Sequence, residues 1–222
     1  MALDGIVLRR STTAQQVADA LSERILAGAF PPGERLRESA IATELGIARN
    51  TVREAVRILQ LGGLVRHEVN RGAVVISPTA ENVDALYTAR DRLETAAVSG
   101  TPTPEQLTAV GAAFEALTQA AESRDARLVV EKDLAFHAAI VTLLGSSRLN
   151  EFYTELIREL RYYLMVLSAT DGESENPETV IAEHEPIASA IRDRDRDRAV
   201  QEVHAHIEAN AKRLKEILAG RP

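Results

Sequence analysis

Residues 36–76 read LRESAIATELGIARNTVREAVRILQLGGLVRHEVNRGAVVI, and their pattern decides how the chain is built. Ala40, Ile41, Ala42 and Leu45 predict a short helix, Gly46 a turn, and residues 48–61 a second helix. In that second helix Val52, Ala55 and Leu59 recur at helical spacing on one stripe, while Arg49, Arg53 and Arg57 recur every four residues on its neighbour. Two short apolar runs follow, 64–65 and 73–76, with a turn at Asn70, Arg71 and Gly72 before the second. This order is a helix-turn-helix with a β-hairpin wing. One stripe of the second helix serves the core; the other faces something anionic.

Duplex DNA fits that description. Its major groove admits one helix and offers paired acceptors on guanine that a guanidinium meets with two hydrogen bonds. Arg49 opens the helix, where bases are read, with Asn50 and Thr51 beside it. Arg53 and Arg57 lie further along, where phosphates fix register without carrying sequence information. Arg71 and Gly72 let the wing pass close to the sugar-phosphate strand, and Arg35 precedes the first helix. The alternative for the arginines is a solvated helix face, paired to Glu54 or Glu38.

The net charge of −7 opposes DNA binding only until it is divided. Residues 1–77 carry ten arginines against eight acids, a net of +2, and the remainder carries 16 basic and 25 acidic residues, a net of −9. Contact with phosphates follows the local balance. The 222 residues suffice for one large or two ordinary domains. Cysteine is absent, which excludes disulfides and thiolate metal sites. No apolar run approaches a membrane span, so a soluble cytoplasmic protein is expected.

Upstream, residues 1–10 have no clear period and form a loose arm. Thr13 caps a helix carrying Val17, Leu21 and Ile25 on one face and ended by Gly28, and residues 29–33 form a turn around Pro31 and Pro32. Downstream, Ser77, Pro78 and Thr79 mark a boundary. Six helices are expected beyond it, near 80–99, 104–122, 125–144, 147–168, 177–192 and 194–218, joined by short breaks and forming an antiparallel all-helical bundle.

The chemistry of this second part rests on histidines, of which the whole chain has five. Asp133 and His137 stand one helical turn apart and can share an ion. His204 and His206 point to opposite sides of the last helix, so only one can join such a cluster. Spacing alone does not connect residues 137, 184 and 206.

Two resemblances bear on the whole. Ile25 to Gly28, Pro32 to Leu36, Leu45 to Ile47, Arg49, Val52 to Ala55, Gly63 to Val65 and Asn70 to Gly72 resemble the winged-helix domain of GntR-family bacterial transcription regulators, over residues 14–76. This chain has Ala48, Arg49, Asn50 and Thr51 where many members have Ser-Arg-Thr-Pro, so operator preferences of the family transfer poorly. Arg90 with Glu94, Asp133 with Phe136 and His137, Glu183 with His184, Ala190 with Ile191 and Asp195, and His206 with Ile207 resemble the FCD domain of the FadR subgroup. Six helices fit its VanR-like branch, and Gly145, Ser146 and Ser147 depart from the usual Gly-Asn-Pro.

The resemblance implies a mostly α protein: a winged helix-turn-helix over residues 1–77 and an antiparallel, all-α FCD-type bundle over 78–222. It implies a homodimeric repressor on a palindromic double-stranded DNA operator, contacted by Arg35, Arg49, Asn50, Thr51, Arg53, Arg71 and Gly72. Asp133, His137, His184 and His206 would hold a divalent metal, zinc foremost, with nickel, manganese and iron as alternatives. A small organic acid would act as effector, with Arg90 as candidate contact, for which an intrahelical pair with Glu94 is the competing reading; Arg161 and Asn210 are weaker candidates, chosen because they share helical faces with inward residues. Two other readings stay open: a metal-dependent hydrolase or oxygenase, and an ion that only clamps helices. Against the former, His184 and Glu185 begin a zinc-protease pattern, but Ala188 stands where the second histidine belongs and Pro186 interrupts it.

Overall fold

The computed structural model describes residues 11–168 and 176–220. The arm expected at 1–10 and most of the break at 171–177 lie outside the described residues. The chain divides into two compact units after Ser77.

The first unit opens with α1, Thr13–Leu26, whose buried face is Val17, Ala18, Leu21 and Ile25. Its cap is Thr12 rather than Thr13. Thr12 keeps extended backbone angles and its hydroxyl accepts the Gln15 N–H at 3.1 Å, while Thr13 is already helical. Helix α2, Glu38–Leu45, ends on Gly46 in the left-handed region at φ 64°, and Ile47 N–H closes back on Ala42 C=O. Helix α3, Arg49–Leu61, buries Val52, Ala55, Val56 and Leu59.

Strands β1, Val65–Glu68, and β2, Gly72–Val75, pair antiparallel, with Val65 opposite Val75 and Glu68 opposite Gly72. The hairpin has a third member that local pattern did not announce. Arg35 bridges Val74, and backbone bonds from Gly33 to Val75, Leu36 to Ala73 and Val75 to Glu34 extend the pairing along the segment before α2. Both backbone groups of Val75 and the Ala73 carbonyl on that edge of β2 are thereby satisfied within the fold.

The second unit consists of α4 Ala80–Val98, α5 Pro104–Ser123, α6 Ala126–Val141, a 3₁₀ turn Thr142–Leu144, α7 Ser147–Ser168, α8 Pro177–Arg192 and α9 Arg196–Ala219. The starts are written in the sequence. Thr79, Thr103, Asp125, Asn176 and Asp195 each accept a first-turn N–H, and Thr103 and Gln106 form a reciprocal capping box. The last helix starts at Arg196, two residues later than expected, because Arg194 takes φ 58° and Asp195 becomes the cap. Helix α8 runs through Pro186 without ending; the ring costs one backbone bond, which the rest of the helix tolerates. Helix α4 packs on α9, α5 on α6 and α8, and α6 on α7. This layering brings the inner faces of α4, α6, α8 and α9 to one place. No helix among the described residues is long and apolar enough to cross a membrane.

Candidate functional site

In the second unit, α6 contributes Asp133 and His137, α8 contributes His184 and α9 contributes His206. One donor atom from each lies within 4.8 Å of every other. His184 Nε2 is 2.7 Å and His137 Nε2 3.8 Å from Asp133 Oδ1, and His206 Nε2 is 3.2 Å from His137 Nε2. His204 sits outside, exposed and 2.7 Å from Asp91.

The outer nitrogens explain why these atoms face inward. His137 Nδ1–H donates to Glu94 Oε2 at 2.7 Å, and His184 Nδ1–H donates to the Val180 carbonyl at 2.7 Å. In a neutral ring that leaves Nε2 as a lone pair. The short His184–Asp133 approach makes no well-directed hydrogen bond, and His184 Nε2 is buried without a partner of that kind. Three imidazole nitrogens and a carboxylate oxygen crowded within 4.8 Å of one another are what a cation would join. The set fits a divalent ion: three borderline imidazoles, one hard carboxylate, and Phe136 as a dry wall 5.5 Å and 5.7 Å from the His137 and His184 rings.

Electrostatics agree with the packing. Burial pushes the Asp133 carboxyl up, but the His184 contact and the His137 and His184 imidazoles hold it well below the usual carboxylate range. Burial pushes His206 well below the ordinary imidazole value, and the neighbouring His184 and His137 add to that. For His184 burial also lowers the value, yet the adjoining Asp133 carboxylate outweighs it and the net direction is up.

Behind the cluster lies a buried network. Arg90 Nε donates to Glu94 Oε1 at 2.9 Å, and Tyr153 Oη donates to the same oxygen at 2.6 Å. The intrahelical pair of Arg90 with Glu94 therefore exists, but it occupies only part of the guanidinium. Arg90 Nη2 and Tyr87 Oη are both buried without a hydrogen-bond partner, and the Arg90 guanidinium lies 5.1 Å over the Tyr87 ring. Burial raises the Tyr87 phenol to about 12, so it stays a neutral donor.

Asn210 Nδ2 lies 3.2 Å from His206 Nε2 and donates to the His206 carbonyl at 3.0 Å. It also lines a 40 Å³ cavity beside Asp133 and His184, together with Glu183 and Arg213. Arg161 is half-buried on α7 and does not line that cavity. Reading the sequence missed Tyr87 and Arg213, although spacing carried a signal: Tyr87 precedes Arg90 by three residues and Arg213 follows Asn210 by three, each pair on one helix face.

In the first unit, Arg49, Asn50, Arg53 and Arg57 are exposed on α3, with Thr51 half-buried. Among the described residues no ion pair ties these arginines to Glu54 or Glu38. A concave surface of 490 Å³ joins Arg35, Arg37, Ser39, Arg49 and Gly72. Arg37 and Ser39 were not anticipated. They sit at the start of α2, which, like α3, has no side-chain cap, so first-turn N–H groups remain open to an anion. Arg71 is tied into the wing: Nη1 pairs with Glu68 at 2.6 Å and Nη2 donates to the Gly33 carbonyl at 3.1 Å.

Comparisons with known proteins follow this division. Residues 85–209 match the FCD domain, and residues 13–75 match the bacterial regulatory proteins of the gntR family. The chain is 28% identical over 207 residues to the uncharacterized HTH-type transcriptional regulator YdhC of Bacillus subtilis (strain 168), covering 91% of each. It is 27% identical over 206 residues to the gluconate operon transcriptional repressor of Bacillus licheniformis, covering 90% of this chain and 84% of that one. A solved structure from Rhodococcus sp. RHA1, described as a candidate transcriptional regulator GntR, superposes with a TM-score of 0.73 at 30% identity, over 96% of this chain and 100% of that one.

Proposed function

The chain belongs to the gntR family of bacterial regulatory proteins and carries an FCD domain, and from that premise we propose that it is a repressor whose hold on DNA is set by a small carboxylate bound at or beside a divalent metal. It is a DNA-binding transcription regulator and not an enzyme; the hydrolase or oxygenase reading falls with that assignment. What remains to argue is how DNA and ligand are taken.

The observation that carries the reading is the convergence of Asp133, His137, His184 and His206 beside two unsatisfied buried groups, Arg90 Nη2 and Tyr87 Oη. A buried polar atom without a partner is costly. A carboxylate accepting from both would relieve that cost, while Asn210 and Arg213 line the cavity on the Asp133 and His184 side. The ion, zinc before nickel, manganese or iron, would supply a fixed positive charge for the same ligand. Arg161 has the weakest claim, since it lies off the cavity.

On the DNA side, Arg49, Asn50 and Thr51 would read base edges. Arg35 and Arg53 would hold phosphates, with Arg37 joining them. Arg71 would act by pinning the wing through Glu68 and Gly33, which leaves the Gly72 backbone to approach the duplex. We further propose a cytoplasmic homodimer on a palindromic operator, its two reading helices spaced for half-sites about one DNA turn apart. Effector binding would favour a different spacing, and the shift is only as large as the ligand's difference in affinity for the two arrangements. The gluconate operon relative is by name a repressor, and relief of repression by the bound acid is the behaviour proposed for this chain.

The test is a mobility-shift titration with duplexes from the gene's own flank, with and without chelator and a panel of small carboxylates. Release of the duplex by one acid, lost after chelation, is expected. Binding that ignores every acid and the chelator would refute the effector reading. Because the donors come from three helices, an ion that only clamps the bundle is the second reading; it predicts that chelation lowers the melting temperature while no acid changes DNA affinity.

A further inference from the structure

We infer that Glu94 is a positioning residue of the metal centre: it dictates which nitrogen of His137 faces the other donors, and it is itself fixed from behind by Arg90 and Tyr153. The inference rests on the metal reading above and goes beyond it, because Glu94 touches none of the three other donor residues.

The geometry is specific. Glu94 is fully buried. Its two oxygens are divided between tasks: Oε2 accepts from His137 Nδ1, while Oε1 accepts from Arg90 Nε and Tyr153 Oη. A carboxylate ion-paired to a guanidinium has no hydrogen to give, so the His137 proton must sit on Nδ1. The neutral ring then offers Nε2 to the cluster. His184 obtains the same tautomer from the Val180 carbonyl four residues earlier in its own helix, a partner no side-chain substitution removes. His137 instead depends on a side chain 43 residues away, on a different helix.

Glutamine cannot replace that carboxylate. Three donors converge on Glu94, and an amide has one acceptor oxygen and two hydrogens of its own. If the amide turns its NH₂ to His137 Nδ1, the ring proton moves to Nε2 and the lone pair leaves the cluster. If it turns its oxygen there, the NH₂ confronts Arg90 and Tyr153.

The full chain is purified as wild type, Glu94→Gln, the double variant Arg90→Met with Glu94→Leu, which offers His137 no acceptor, and His184→Ala. Zinc affinity is measured by competition with a chromophoric chelator, folding by thermal melts, and ligand geometry by the visible spectrum of the cobalt(II)-loaded protein. Glu94→Gln is expected to bind zinc about 10- to 100-fold more weakly and to shift the cobalt bands. The double variant removes the charge that the single one strands, so it should fold while keeping the weaker affinity and altered spectrum. If either variant binds zinc as tightly as wild type while His184→Ala loses it, the role of Glu94 is refuted and the metal centre stands. If folded wild type takes up no zinc or cobalt, both fall together.

Discussion

His206 Nε2 lies 3.2 Å from His137 Nε2, and the two rings stack with centroids 5.0 Å apart. Two imidazole nitrogens this close either share one proton or both turn lone pairs to a cation. The His137 proton is held on its far side by Glu94, burial keeps His206 a neutral ring, and the Asn210 Nδ2 donor 3.2 Å from His206 Nε2 calls for a lone pair there. The contact therefore favours the cation.

Metal should accordingly stabilise the second unit. Zinc at a hundred times its dissociation constant is worth about 2.7 kcal/mol, which raises the melting temperature and is reversed by chelator. His206→Ala and His184→Ala should lose stoichiometric zinc. Full metal content in both, measured by elemental analysis, would remove the centre.

The buried Glu94 gives a pH signature. Burial pushes its carboxyl up, but Arg90, His137 and the hydrogen bonds it accepts bring it down from 4.5 to about 2. The folded state thus holds its proton more weakly than the unfolded state. Its contribution is complete above about 4.5 and fades as pH falls toward 2, with a full size of roughly 3 kcal/mol. Urea midpoints of metal-free protein should fall more steeply between pH 5 and 3 for wild type than for the double variant Arg90→Met with Glu94→Leu. Parallel curves would contradict it.

Arg49 and Arg53 should separate by role. Arg49→Ala is expected to cost about 1–3 kcal/mol on the preferred operator and to relax base preference at one position. Arg53→Ala should weaken all duplexes alike and reduce the slope of log affinity against log salt by about 1. Identical salt slopes and base preferences in the two variants would overturn the division.

The turn between α2 and α3 should depend on backbone alone. Gly46 has φ 64°, and a Cβ there would meet nothing within 4 Å. Gly46→Ala pays only the left-handed penalty, about 1–2 kcal/mol, and Gly46→Asn less. Hydrogen exchange across residues 38–61 should quicken in the order wild type, Asn, Ala; equal rates would show that the turn is not strained.

How much was legible depended on range in sequence. Thr79, Thr103 with Gln106, and Asn176 with Pro177 announce their helices because a cap and the N–H that donates to it lie within one turn, and five of the six starts after residue 78 fall within a residue of expectation. The pairing of Arg35 with Val74 was not legible, since no local pattern joins residues 39 positions apart. The same limit hid the hold of Glu94 on His137 and the tie between Arg71 and Gly33. Asp133 and His137 could be joined by spacing, but residues 184 and 206 entered only through resemblance. Arg161 shows the converse error: a shared helical face does not say which cavity a side chain reaches.

His137 and His184 have their outer nitrogens engaged by Glu94 and Val180 before any ion arrives. An incoming cation would then find two of its seats already aimed, and only the Asn210 amide on His206 Nε2 would have to move aside. The slow event would be the stripping of hydration water from the ion itself. Metals that shed that shell reluctantly would load slowly whatever their final affinity, so the occupant after growth would reflect cellular supply and exchange rates as much as equilibrium preference.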